Sequence, residues 1–256
     1  MEAASLKVTT GAAAGSVLTS DATGNATWKA KLANIIYVAK IGGDFQKIVD
    51  ALASITDATV TNPYLIRVAP GVYTEQVTMK EFVSIEGAGE GTTIIKYTGS
   101  ANYPSATDSS SATVIGASNA ELRSLTVQSD GTGKNYGTAI YNKGNSPTLS
   151  HLTITASGGA TNRGVYNDTS SSPPMNNLTI TASGGTYTYG VYNDINSSPT
   201  IYSSRIKGGT NSVFNNNSTA KIANTMLNGA VSTGCTCINA YDASFTTLPA
   251  NCIIAN

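Results

Sequence analysis

The chain has 256 residues, enough for one elongated domain with a continuous core. Only 12% of them are charged, 15 basic against 15 acidic. That leaves no basic face for nucleic acid or an anionic membrane. No apolar run reaches the roughly 18 residues that a membrane-spanning helix needs, and Met1-Glu-Ala-Ala-Ser5 has neither the basic start nor the apolar core of a secretion signal. The surface that remains is neutral and rich in Ser, Thr, Asn and Gly. Such surfaces are common outside the cell, where the expected partner is a surface polysaccharide.

Residues 1–33 are small and polar, with scattered larger apolar side chains: Leu6, Val8, Val17, Leu18, Trp28 and Leu32. A segment like this gains too little from burial to offset its ordering entropy when alone. It reads either as a flexible linker or as an extended segment that orders against another chain, making the protein a homo-oligomer or filament. From Ile35 the pattern becomes regular. Ile35-Ile-Tyr-Val38 reads as a strand, Gly42-Gly43 breaks it, and Asp44 is placed to cap a helix. Phe45, Ile48, Val49, Leu52 and Ile55 then share one helical face, which predicts a helix over 45–55 lying across the open end of a solenoid.

The solenoid is predicted by a repeat. Leu152-Thr-Ile-Thr-Ala-Ser-Gly-Gly159 recurs letter for letter as Leu178-Thr-Ile-Thr-Ala-Ser-Gly-Gly185, and Gly164-Val-Tyr-Asn-Asp168 recurs as Gly190-Val-Tyr-Asn-Asp194. Both steps are 26 residues, and Pro147, Pro173 and Pro199 keep the same step. Within each unit apolar and Thr residues alternate, so one face points in and the other out. Gly, Asn, Ser and Pro clusters separate the short runs. The fold class expected is all-β, a single right-handed parallel β-helix with an N-terminal capping helix, each coil stacked on the last at roughly 4.8 Å. The expected divisions are 1–33 as the assembly segment, 34–60 as strand and capping helix, 61–230 as coils, and 231–256 as a Cys-containing cap.

Stacked coils turn equivalent positions into ladders. Tyr141, Tyr166, Tyr192 and Phe214 form an aromatic one, and Asn142, Asn167, Asn193 and Asn215 follow it immediately. Such ladders are either a ligand-stacking stripe or core and corner packing, and packing is the expectation here. Asp168 and Asp194 occupy equal places in adjacent coils, with Lys143 one coil before and Arg163 close by. Stacked carboxylates are the weak catalytic candidates, since such a pair can share a proton or serve glycoside hydrolysis. An outward, solvated turn position is the plainer alternative. His151 precedes inward Leu152 and reads as a surface residue. Gly87-x-Gly89-x-Gly91 has no helix after it and reads as a coil corner rather than a phosphate loop. Cys235, Cys237 and Cys252 predict one disulfide, Cys237–Cys252 or Cys235–Cys252, with one thiol left over. No fourth ligand completes a metal site, and no cofactor is implied.

Two resemblances add to this. Thr9-Thr-Gly-Ala-Ala-Ala-Gly-Ser-Val-Leu-Thr-Ser-Asp-Ala-Thr-Gly-Asn-Ala-Thr-Trp28 resembles a short motif of phage tail fibres and bacterial fibre-like surface proteins, where it lies between a shaft and a distal domain. Val38-Ala-Lys-Ile-Gly-Gly-Asp-Phe-Gln-Lys-Ile-Val-Asp-Ala-Leu52, Tyr64-Leu-Ile-Arg-Val-Ala-Pro-Gly-Val-Tyr-Thr-Glu-Gln-Val77 and Val83-Ser-Ile-Glu-Gly-Ala-Gly-Glu-Gly-Thr-Thr-Ile-Ile95 resemble the opening coils of pectin methylesterases, within the pectin-lyase-like β-helices. That resemblance implies the fold. The catalytic motifs of those esterases, Gln-Asp and Arg-x-Trp, have no counterpart: Gln46, Gln76 and Gln128 are not followed by Asp, and the single Trp is Trp28. The function expected from the sequence is therefore a non-enzymatic extracellular or phage-type fibre module, at a cell surface or on a virion, that binds glycan or serves as scaffold. The alternatives are a carbohydrate-active enzyme (polysaccharide esterase, lyase or hydrolase) with an unrecognised site, and a self-assembling filament subunit.

Overall fold

A computed structural model describes residues 16–20, 26–30, 34–99 and 108–253. The chain divides into two units, Met1–Asn34 and Ile35–Asn256. In the first, Ser16–Ser20 pairs antiparallel with Ala26–Ala30. The reading of 1–33 as an extended segment did not foresee this pairing, and the rest of that segment lies outside the described residues.

The second unit is a parallel β-helix. Each coil contributes strands to three faces, and each face stacks in parallel register. Three apolar columns fill the interior, one from each face. Ile66, Ile85, Leu122, Leu149, Met175, Ile201, Ile222 and Cys237 align in the first. Tyr73, Ile95, Val127, Ile154, Ile180, Ile206 and Leu227 align in the second. Val77, Val114, Ile140, Val165, Val191 and Val213 align in the third. All are buried, and each fully buried Val, Leu or Ile contributes about 1.5–3 kcal/mol. Leu152 and Leu178 face each other across parallel strands, as the 26-residue repeat requires.

The bend between the first two faces has its own column. Ser124, His151, Asn177, Ser203, Asn224 and Asn239 all lie in the left-handed region, at φ between 48° and 56°. Asn is among the residues that tolerate this conformation best, and the position turns the strand without breaking it. His151 is therefore an exposed bend residue, with its Nε2 3.3 Å from Asn177 Nδ2. Gly87, Gly89 and Gly91 form the corner between the strands Val83–Gly87 and Thr93–Thr98, where Gly89 has φ +146°.

The capping helix runs over Ile48–Ser54 and buries Ile48, Ala51 and Leu52. Asp44 does not cap it. Phe45 is bridged to Val38, and the Asp44 carboxylate accepts the Tyr37 amide at 2.8 Å, so the residue is committed before the helix begins. Glu75, a coil later, caps instead: its two oxygens accept the amides of Ile48 (3.1 Å) and Val49 (2.9 Å). Helical spacing does not foresee a cap supplied from 27 residues away.

At the other end the coils run beyond 230, since Cys235–Ile238 and Tyr241–Asp242 still stack on the coil before them. The last residues fold back on that edge. The Cys237 amide donates to the Ala250 carbonyl (2.7 Å) and the Leu248 amide to the Ala240 carbonyl (2.8 Å). Cys237–Cys252 is the disulfide, with Cα atoms 5.3 Å apart, and buried Cys235 is left as the thiol. The bridge spans 15 residues, so opening it releases about 3 kcal/mol of loop-closure restraint to the unfolded chain. Urea unfolding with and without dithiothreitol should show that loss, and Cys252→Ser should reproduce it.

Candidate functional site

The face built by Ala112–Ile115, Tyr136–Lys143, Thr161–Asp168, Tyr187–Asp194 and Arg205–Asn216 carries the candidate residues. Its core column is Ile140, Val165, Val191 and Val213, so strand alternation sends the next residues outward. Tyr141, Tyr166, Tyr192 and Phe214 are aligned and stand outside the lumen. The packing they make lies on the outer side of the sheet and not among the lumen columns. Tyr141 and Tyr166 are buried, 4% and 5% exposed, but in a small cluster with Ala112, separate from the interior core. Successive rings lie 5.0–5.1 Å apart, and Tyr189 joins them 5.0 Å from Tyr192 and 5.3 Å from Phe214. Burial raises the Tyr189 phenol above its ordinary value.

The Asn column turns inward. Asn142 donates to Asn167, Asn167 to Asn193, and Asn193 to Asn215, each at 2.8 Å. Asn215 ends the chain on the Thr233 carbonyl (3.0 Å) and Cys235 Sγ (3.1 Å). Burial pushes the Cys235 thiol up to about 11, so it stays protonated at neutral pH and is no nucleophile. Its place is structural, as the last acceptor of the amide ladder.

The sequence placed Arg163 close to the two aspartates but gave it no role of its own. Its guanidinium carbon lies over the rings of Tyr166 (4.4 Å), Tyr192 (5.0 Å) and Tyr136 (5.3 Å), a cation held among aromatic faces. The one available signal was its position immediately before Gly164. A Cβ there would collide with Ile180 and the carbonyl of Gly190, and one at Gly190 would collide with Ile206 and the carbonyl of Ser212. The repeated glycine is thus imposed by the close approach of neighbouring coils, and it fixes the tyrosine and aspartate that follow.

Asp168 and Asp194 come next along this face, on adjacent strands about 4.8 Å apart. Asp168 is buried, not solvated. Its Oδ2 accepts the Tyr141 hydroxyl at 2.9 Å, its Oδ1 accepts the Thr169 hydroxyl at 2.9 Å, and Lys143 Nζ lies 4.0 Å away. Asp194 Oδ2 accepts the Tyr166 hydroxyl at 3.3 Å, and its Oδ1 accepts Asn216 Nδ2 (2.9 Å) and the Ile195 amide (3.0 Å). Each carboxylate is thus gripped by the phenol of the coil before it. Both are followed by a strained turn: Thr169 and Ser170 have φ 54° and 64°, Ile195 and Asn196 have 43° and 62°. β-Branched Thr169 and Ile195 are disfavoured there. Ser171 and Ser197 hold the turns by donating to the carbonyls of Asp168 (2.7 Å) and Asp194 (2.6 Å). What this arrangement can do is acid–base or nucleophilic work with two carboxylates, beside an aromatic column in which Tyr141 and Tyr166 are buried and Tyr192 and Phe214 half-buried.

A concavity of about 420 Å³, lined by none of these candidate residues, is bounded by Tyr37, Gly43, Arg67 and Glu86 among others. Glu86 is shared there between Arg67 (3.1 Å) and Arg123 (3.4 Å), an ion-pair network with no acid–base pair. Among the described residues no group of three or more His, Cys, Asp or Glu side chains is placed to hold a metal ion, and no helix is long and apolar enough to cross a membrane.

No protein-family model matches the chain, and no curated protein matches its sequence. Its structure is similar to a pectin methylesterase solved with a hexasaccharide: 13% identity, 89% of this chain and 94% of that one, TM-score 0.54. It is similar to the carrot pectin methylesterase at 16% identity over 82% and 81%, TM-score 0.55. The enzyme of Erwinia chrysanthemi matches at 12% identity over 88% and 94%, TM-score 0.54. These similarities show a pectin-lyase-like right-handed parallel β-helix. They also overturn the expectation of a non-enzymatic fibre module, because these solved chains of the same architecture are carbohydrate esterases.

Proposed function

We propose that the chain is a hydrolase that acts on an extended polysaccharide outside the cell, with Asp168 and Asp194 as its paired carboxylates. The observation that carries this is the matched setting of the two carboxylates in successive coils, Asp168 accepting the Tyr141 hydroxyl (2.9 Å) and Asp194 the Tyr166 hydroxyl (3.3 Å), beside the aromatic column. Asp168, with Lys143 near one oxygen, acts as nucleophile or base. Asp194, on the more open side, protonates the leaving oxygen. Cleavage of a glycosidic bond is the main reading. Ester hydrolysis by the same pair is the second, and the fold neighbours favour it. The missing Gln-Asp and Arg-x-Trp motifs argue against the esterase chemistry of those neighbours.

The test is a panel of plant and bacterial polysaccharides, methylated pectin included, followed by release of reducing ends and of methanol or acetate. Turnover of one of them should fall at least about 100-fold in Asp168→Asn and in Asp194→Asn, with unchanged melting temperatures. No turnover across the panel, or full activity in both variants, overturns the proposal. Residues 1–33 are proposed as an assembly segment. The pairing of Ser16–Ser20 with Ala26–Ala30 supports this, because a lone two-stranded hairpin is at best marginally stable in water. Limited proteolysis that removes the segment should abolish self-association while the β-helix stays folded.

A further inference from the structure

We infer that the polar cleft on the turns after Asp194 and Asn216 is a sugar subsite, and that the polysaccharide it takes is a neutral one. The inference names the substrate class of the hydrolase reading and rests on it. The cleft has a volume of about 430 Å³ and is lined by Asn196, Ser197, Asn217, Ser218 and Thr219. None of these side chains is charged. The cleft is tied to the candidate carboxylate through its neighbours: Asn216, which donates to Asp194 Oδ1 at 2.9 Å, directly precedes Asn217, and Asn196 follows Asp194 by two positions.

The floor of the cleft is fixed. The Ser197 and Ser218 hydroxyls donate to the carbonyls of Asp194 (2.6 Å) and Asn193 (2.9 Å). The Thr219 hydroxyl is paired with that of Ser198 at 2.8 Å. Backbone bonds join the two turns beneath: the Asn196 amide donates to the Asn217 carbonyl (2.9 Å), and the Thr219 amide to the Ser197 carbonyl (3.0 Å).

The rim is open. Asn196 and Asn217 are exposed, and neither side-chain amide is hydrogen-bonded to another of the described residues. Both residues are held in the left-handed region, at φ 62° and 49°, so the turn sets their direction before any ligand arrives. An unpaired amide offers two donor hydrogens and an acceptor oxygen. That set matches two neighbouring hydroxyls of a sugar, each of which donates and accepts. Two such amides, one coil apart on a fixed floor, offer this contact twice. A uronate carboxylate calls for a cation instead, and the lining holds none. Lys143 stands beside Asp168, at the other end of the carboxylate column.

The experiment compares neutral polymers of the panel with polyuronates, in the parent and in the double variant Asn196→Gly, Asn217→Gly. Glycine keeps the left-handed backbone without strain. Turnover confined to neutral polymers is the expected result. The double variant should raise KM about tenfold, the loss of two or three ligand hydrogen bonds, with kcat within about twofold and an unchanged melting temperature. Turnover of a polyuronate, or a parental KM in the double variant, overturns this inference and leaves the hydrolase reading standing. If no polymer is turned over, the hydrolase reading falls, and affinity electrophoresis in gels carrying the same polymers decides the cleft by itself. Retardation by a neutral polymer that the double variant loses supports the subsite. Equal mobility of parent and variant overturns it.

Discussion

Replacing Asn167 by Leu should cost about 4 kcal/mol of stability, although the two side chains are similar in size. Asn167 is fully buried in the middle of the amide ladder, accepting from Asn142 and donating to Asn193. The substitution removes both bonds and leaves two buried partners unsatisfied: the Asn142 donor and the Asn193 acceptor. Each buried polar group so stranded costs about 1–3 kcal/mol. The gain from burying an apolar side chain is smaller, because the site is lined by amides. Asn142 is also fully buried, so water has no ready route to replace the lost partner. Urea unfolding measures the cost directly. The same substitution at Asn215, near the exposed end of the ladder, should cost less than half as much. Equal losses at the two positions would show that ladder burial is not what sets the cost.

The parts of this fold that can be read from the sequence are those that repeat. Leu152 and Leu178, or Tyr166 and Tyr192, align because stacked parallel coils force equal residues into register. The parallel pairing and the ladders of equivalent residues both follow from that one constraint. The parts that could not be read depend on contacts between unlike segments. The Glu75 cap belongs to this group, as does the folded-back tail that selects Cys237 over Cys235 as the partner of Cys252. The candidate site lies between the two. Asp168 and Asp194 stand out by their period, whereas Arg163 does not, since its counterpart one coil on is Tyr189. The side of the sheet taken by the tyrosines was also misjudged. An aromatic column fills a corner or coats an exterior equally well, and the decision lay with the small valines one position earlier, which already fill the lumen.

The outward tyrosines nevertheless contribute to stability, and Tyr166→Ala should destabilise the protein by about 3–5 kcal/mol, the range for deleting a buried aromatic. Tyr166 sits between Tyr141 and Tyr192 with both centroids 5.1 Å away, and the Arg163 guanidinium rests 4.4 Å from its own. Removing the ring takes contacts from both neighbours and an aromatic face from the cation, which alone is worth about 0.5–2 kcal/mol. Tyr166→Phe separates packing from chemistry. It keeps the ring and removes the hydroxyl that donates 3.3 Å to Asp194, so stability should fall by about 1 kcal/mol. Turnover should respond differently. Asp194 would lose the hydroxyl that orients its Oδ2, and activity should drop about tenfold or more while the melting temperature barely moves. Calorimetry on Tyr166→Phe beside its pH–rate profile distinguishes the two roles. If activity and pH profile are those of the parent, the hydroxyl is a packing accessory and Asp194 is positioned by Asn216 and the Ile195 amide alone.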